Sequence, residues 1–216
     1  MKIVILAIML TLVAVTAPCA FAQDDLYNNG PTNGTSDGWT INFGFAVSNS
    51  FTLGAQSNVP GLSFAAWVLP GDVLESAEVS ITSSEFGGVS YFDQTVNFTQ
   101  SGCVSNQYGY NVCTESGTFS GPYLNAGTYW LNLSNASVNT GDPIYWDENS
   151  GPSQASENSI GTIPSESFTL LGECSAGKNS PDCGPPPTTT PEPGALVLLG
   201  SGIVMIAAGL RRGISR

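Results

Sequence analysis

Histidine is absent from the 216-residue sequence, and lysine plus arginine number only 5 against 17 acidic residues. Without imidazole, the usual general base of serine and cysteine nucleophile systems and the commonest transition-metal ligand are both missing. The bases are also badly placed for holding phosphate: between Gln23 and Thr190 stand 16 carboxylates and a single Lys178, a formal charge of −15. Nucleic acid is thereby excluded as a partner, because neutralising phosphates requires Lys and Arg. There is no Walker-type phosphate loop, no dinucleotide-binding glycine fingerprint and no Cys-x-x-Cys pair. No metal site, no cofactor and no enzymatic reaction are expected. Long apolar helical periodicity is likewise missing between the two chain ends; only Asp72 to Ala77 reads as one helical turn.

What is present begins with a secretory signal. Lys2 supplies the positive start, Ile3 to Val15 the apolar core and Ala20-Phe21-Ala22 the small-x-small cleavage site, so residues 1–22 are a signal peptide and the mature chain starts at Gln23. About 170 residues follow before the C-terminal apolar run, enough for one domain with a sizeable core. Trp39, Ile41, Phe43, Phe45 and Val47 alternate with small or polar residues, which predicts a strand with its large side chains on one face. Val79 and Ile81, Val96 and Phe98, Tyr129, Leu131 and Leu133, and Phe168 and Leu170 repeat the pattern, with Trp130 on the opposite face. Turn punctuation separates them: Pro60-Gly61, Pro70-Gly71, Gly87-Gly88, Gly121-Pro122, Ala126-Gly127 and Gly141-Asp142-Pro143. Short strands with frequent turns predict an all-β, antiparallel, jelly-roll-like β-sandwich ectodomain over residues 23–173.

Cys19 leaves with the signal, and the remaining Cys103, Cys113, Cys174 and Cys183 form an even set in an exported chain. Three pairings exist. Cys103 with Cys113 and Cys174 with Cys183 are expected, because each pair brackets a turn-rich stretch able to bring its ends together. The first encloses Asn106-Gln107-Tyr108-Gly109-Tyr110-Asn111, which reads as a hairpin tip.

Aromatics meet carboxylates in one segment, Tyr145-Trp146-Asp147-Glu148-Asn149, within a turn-rich stretch. Tyr145 or Trp146 can stack on a sugar face while Asp147, Glu148 or Asn149 bonds its hydroxyls; the alternatives are a Ca²⁺ seat on the same oxygens, or two aromatics simply ending a core strand. Tyr108 and Tyr110 on the disulfide loop are a second candidate contact for a glycan. A carboxylate pair can still serve as acid and base in a glycosidase, and Asp142, Asp147 and Glu148 are the densest acidic group, but the separation of any two is not readable from sequence.

Residues 174–193 carry the second expected disulfide loop and a Pro/Thr linker, ending in Pro191-Glu192-Pro193. Three consecutive prolines make this spacer extended, reaching roughly 30 Å between Gly184 and Pro193 at 3.1 Å per residue. Gly194 to Leu210 is uncharged and as a helix measures about 26 Å, the short limit for one transmembrane helix. Residues 211–216 form a basic tail with Arg211, Arg212 and Arg216, which places that end in the cytoplasm and the domain outside it. A Pro-Glu-Pro triplet, a short apolar helix and a terminal arginine cluster together resemble the PEP-CTERM sorting signal of Gram-negative bacteria. That resemblance implies recognition of Pro191, Glu192, Pro193, Arg211 and Arg212 by exosortase, a membrane protease. It also implies inner-membrane anchoring before processing and release or surface transfer afterwards.

A broader likeness covers Tyr91 to Gly172. The runs Gly117-Thr118-Phe119-Ser120-Gly121-Pro122, Leu124 to Leu131, Tyr145 to Asn149 and Ile160 to Phe168 are similar to the cargo region of acidobacterial PEP-CTERM proteins. The resemblance implies a surface or matrix β-sandwich associated with exopolysaccharide. The expected function is a structural or adhesive protein of the cell surface or extracellular matrix; a carbohydrate-binding module is the alternative, and a small carboxylate glycosidase the remaining one.

Overall fold

The computed structural model describes residues 24–174. The expected signal peptide, Cys183, the Pro191-Glu192-Pro193 triplet, the transmembrane helix and the basic tail lie outside the described residues. Among the described residues there is no helix. Thirteen strands form instead: β1 (Asp24–Asn28), β2 (Gly38–Thr40), β3 (Ala46–Leu53), β4 (Ser57–Val68), β5 (Leu74–Ser84), β6 (Gly87–Ser105), β7 (Asn111–Thr118), β8 (Tyr123–Leu124), β9 (Gly127–Val138), β10 (Tyr145–Asp147), β11 (Ala155–Glu157), β12 (Gly161–Ile163) and β13 (Phe168–Cys174).

All pairings are antiparallel, in the order β1-β13-β4-β7-β6-β5-β9-β3-β11-β12, with β10 bridging β2 and β4 and β8 lying on β4. The sheet curls because β6, 19 residues long, serves two partners in turn. Its first half pairs with β5 as far as Asn97, and from Phe98 onwards it pairs with β7. One layer is therefore β1, β13, β4, β7 and the end of β6; the other is the start of β6 with β5, β9, β3, β11 and β12. Strands β5, β6 and β7 follow one another, while β4 lies beside β7 at the far side of the three, a Greek-key arrangement.

One apolar core lies between the layers, with Leu62, Phe64 and Leu170 from one side and Phe51, Val79, Ile81, Leu131 and Leu133 from the other. The period-two patterns over Val79–Ile81, Tyr129–Leu133 and Phe168–Leu170 thus face inward as expected. Rings join the layers across the core: Tyr27 on β1 lies 6.0 Å from Phe51 on β3, which stacks on Tyr129 at 5.6 Å. Strand β4 carries a second, smaller cluster on its outer face, where Ala65 and Trp67 meet Val112 of β7 with Tyr110 and Tyr145 packed against them.

Two local expectations are corrected. The alternating run from Trp39 to Val47 is not one strand: β2 stops at Thr40 and β3 starts at Ala46. Between them Phe45 N donates to Asn42 O at 3.0 Å, and Phe43 and Gly44 take positive φ of 57° and 88°. Both central residues with positive φ define a tight reversal that Gly accepts without strain. The Asn42 side chain holds the turn, donating to Asp142 O at 2.9 Å and accepting from Ile144 N. Phe43 consequently points to solvent. The helical turn over Asp72 to Ala77 is also replaced, since β5 begins at Leu74. Leu74 and Ala77 bury fully there, paired with β9 and β6, which a single isolated helical turn does not offer.

Candidate functional site

The outer face of β4 supports an open cleft of about 460 Å³ lined by Ser36, Asp37, Gly38, Trp67, Tyr108, Tyr110 and Tyr145. Three distant segments meet here: the β1–β2 connection, the β6–β7 hairpin tip and β10. Tyr145 arrives because β10 is wedged between β2 and β4, with Tyr145 opposite both Thr40 and Trp67.

The hairpin tip is built as its sequence suggests. Cys103 and Cys113 form a disulfide at its neck. At the tip, Asn106 N donates to Tyr110 O at 2.8 Å, and the Asn106 side-chain oxygen accepts from Tyr108 N and Tyr110 N at 3.0 and 3.1 Å. A short polar side chain replaces a backbone ladder there, a role that suits Asn. The tip is tied to the β1–β2 connection because the Tyr108 hydroxyl and Gln107 Nε2 both donate to Thr35 O.

The rings form a continuous surface. Tyr108 stacks on Trp67 with centroids 5.6 Å apart and planes 20° from parallel, Tyr110 lies 6.1 Å from Trp67, and Tyr110 meets Tyr145 at 5.5 Å and 80°. Burial first, then the hydrogen bond and proximity of Tyr110, push the Tyr145 phenol up to about 12. Tyr145 is therefore a neutral hydroxyl at physiological pH. The approach of β2 to this surface depends on Gly38, where a Cβ would sit 2.9 Å from Tyr145 Cβ and 3.2 Å from Trp146 O.

Beneath the rings lies Asp147, fully buried. Its Oδ1 accepts from Trp67 Nε1 at 2.6 Å and from Gly34 N at 2.8 Å, and its Oδ2 accepts from Asn33 N at 2.7 Å. Burial holds its pKa above the usual carboxylate value, although the three donors pull it back down. Asp147 thus fixes the plane of Trp67 and pins the β1–β2 connection to β10. On the core side of the same strand Trp146 is fully buried and donates through Nε1 to Ser167 O at 2.8 Å.

The expected contact residues therefore divide. Tyr108, Tyr110 and Tyr145 come together on the cleft. Trp146 does not join them, because adjacent residues of a strand point to opposite faces and Trp146 takes the core side. Asp147 and Asn149 are buried as well: Asn149 Nδ2 donates to Asn29 O at 2.9 Å and its oxygen accepts from Gly151 N. Glu148 Oε2 accepts from Trp39 Nε1 at 3.2 Å, and its backbone faces Glu166 in an isolated antiparallel bridge. Glu166 is fully buried; burial, then the charges of Glu148, Asp147 and Asp37, hold its carboxyl well above the usual range. Asp147, Glu148 and Asn149 use their side-chain atoms on separate partners. Among the described residues no group of three or more His, Cys, Asp or Glu is placed to hold a metal ion.

Sequence reasoning missed Trp67 and Asp37. Trp67 lies inside the apolar run Phe64-Ala65-Ala66-Trp67-Val68, which reads as core throughout. Nothing local distinguishes its outward face. Asp37 carried no signal beyond being one acidic residue in a loop. No protein-family model matches the chain, and no curated protein matches it.

Proposed function

We propose that the protein is an exported adhesive or structural component of the cell surface or extracellular matrix, and that it engages polysaccharide through the cleft of Tyr108, Tyr110 and Tyr145. The observation that carries this reading is the convergence of those three rings with Trp67 from separate segments onto one open face, with Asp37 and Ser36 supplying polar atoms. Concave aromatic surfaces with a few convergent polar groups are the usual form of small-ligand sites. A disulfide at the neck of the hairpin fits an oxidising compartment, where such bonds persist.

In this reading the domain is a jelly-roll-like sandwich held outside the cytoplasm. The Pro191-Glu192-Pro193 tail anchors it in the inner membrane until an exosortase-type protease processes it, leaving it at the surface or in the medium. Two experiments test the two halves. Affinity electrophoresis of the mature protein through gels containing bacterial exopolysaccharide should show retardation, lost in Tyr110→Ala and Tyr145→Ala variants that keep their circular dichroism. Fractionation of the host with and without exosortase should show a species ending near Pro191 only when the protease is present; an intact C terminus held in the inner membrane in both strains rejects the sorting half.

A further inference from the structure

We propose that the ligand of the aromatic cleft is a cation: an organic ammonium group, carried by an amino-sugar unit of the polysaccharide, seats in the corner between Tyr110 and Tyr145 with Asp37 as its counter-charge. This rests on the polysaccharide reading above and narrows it to a chemical class.

The shape of the cleft argues first. A neutral sugar is gripped by laying its flat face on a broad exposed ring, and the broadest ring here is not open: Trp67 is 5% exposed, with Tyr108 stacked over it. What the cleft presents instead is a corner, with the Tyr110 and Tyr145 planes 80° apart. In this edge-to-face contact the ring face left open beside its perpendicular neighbour suits a compact cation, since that face carries the negative lobe of the quadrupole. Tyr145 remains a neutral phenol, as shown above, so its face keeps that character throughout the physiological range.

The charge distribution argues independently. Residues 24–174 contain 15 carboxylates and not one Lys, Arg or His. No side chain of the described domain competes for the ring faces or neutralises Asp37, whose Oδ1 accepts only a backbone bond, from Gly38 N at 2.9 Å. Two further carboxylates stand behind the floor: Asp147 holds Trp67 from below, and Glu148, whose backbone N–H donates to Asp37 O, accepts from Trp39 Nε1. Fixed negative charge around a low-dielectric cleft focuses its potential there, raising the local concentration of cations and repelling uronates, sulfates and phosphates. Stacking geometry and charge therefore select the same class of ligand.

The experiment uses the mature protein and four probes: glucosamine oligomers, the matched N-acetylglucosamine oligomers, choline, and the neutral choline isostere 3,3-dimethylbutan-1-ol. Binding is read by calorimetry and by the change in tryptophan fluorescence, with a Trp67→Phe control to assign the part that comes from the cleft. The free-amine oligomers should bind roughly tenfold or more tighter than the acetylated ones, a ratio equal to about 1.4 kcal/mol. That preference should shrink between about 20 mM and about 500 mM salt, as the Debye length falls. Asp37→Asn, which still accepts from Gly38 N, should cut the preference several-fold, and Tyr145→Leu should do the same. Asp93→Asn, which removes an exposed charge from β6, should leave it unchanged.

Choline, but not its isostere, displacing the amine oligomers supports a general ammonium corner; displacement by neither supports a site fitted to the amino sugar itself. Equal losses in Asp37→Asn and Asp93→Asn would mean that the whole surface attracts the cation, and would overturn the site. Acetylated oligomers binding as tightly as the free amines would overturn the cationic inference while leaving the polysaccharide reading intact. Binding of none of the four probes would overturn this inference, and gel retardation by exopolysaccharide would then decide the broader reading separately.

Discussion

Replacing Glu115 by glutamine should remove one contribution by which the domain loses stability as pH rises. Glu115 sits in the middle of β7, opposite Phe64 of β4 and Gln100 of β6, with its side chain turned into the core and fully buried. Neither carboxyl oxygen has a hydrogen-bond partner. The nearest amide across the ladder is unavailable, because Gln100 donates through Nε2 to Asp72 O and accepts from Leu74 N, holding the β4–β5 connection. Burial alone raises the Glu115 pKa from 4.5 to about 7. At 1.36 kcal/mol per pH unit this displacement corresponds to about 3 kcal/mol, an order-of-magnitude figure. The sign follows from proton counting: between pH 4.5 and 7 the folded chain keeps a proton that the unfolded chain has released, so stability falls as pH rises. The contribution is fully present below about pH 4.5 and lost above about pH 7. Thermal and urea unfolding of wild type and Glu115→Gln at half-unit steps from pH 4.5 to 8.5 isolates it. The neutral amide makes the variant relatively more stable as pH increases, so the difference should swing by about 3 kcal/mol towards the variant across that window. Surface repulsion among the remaining carboxylates is common to both proteins and cancels. A difference that stays flat from pH 5 to 8 would refute the reasoning, and would mean that Glu115 finds a partner or ionises freely in the folded state.

The remaining predictions concern the cleft and its support. Asp147→Ala strands two backbone N–H groups and the Trp67 indole N–H in a buried place, and should cost about 3–5 kcal/mol in urea unfolding, with a shift in tryptophan emission. Trp146→Ala should cost about 3–5 kcal/mol through the cavity it leaves, acting on stability and not on ligand contact; unchanged melting would contradict its core placement. Cys103→Ser with Cys113→Ser should cost about 2–3 kcal/mol by releasing the hairpin in the unfolded chain, and calorimetry should show weaker amine binding as Tyr108 and Tyr110 loosen. Gly38→Ala should cost about 1–3 kcal/mol, because the new methyl group meets Tyr145 Cβ and the Trp146 carbonyl, and it should reduce binding in proportion as Tyr145 is displaced.

Much of the scaffold was legible because the information was local. Alternation at Val79–Ile81 and Tyr129–Leu133 reflects the two faces of one strand, and turn residues mark where each strand ends. Residues 103 and 113 are close enough in the chain for their hairpin to announce the bridge. The missing bases are a matter of composition alone, and they already set the sign of charge that any ligand must tolerate.

The site was decided elsewhere. Tyr145 and Trp146 are neighbours with similar chemistry, and strand geometry requires only that they point apart. Which of them faces the core depends on β10 lying between β2 and β4, pairings that join residues roughly 80 to 110 positions apart. The same distance effect broke the expected strand from Trp39 to Val47, where Asn42 gives its side chain to Asp142 and Ile144 and the backbone reverses. Trp67 became part of a cleft only when Asp147 fixed its ring and Tyr108 came over it from the hairpin tip. Periodicity within a strand thus determines that a protein of this sequence builds sheets and roughly where. The packing of one sheet segment on another, which periodicity does not encode, decides which aromatic rings are left open on the outer face.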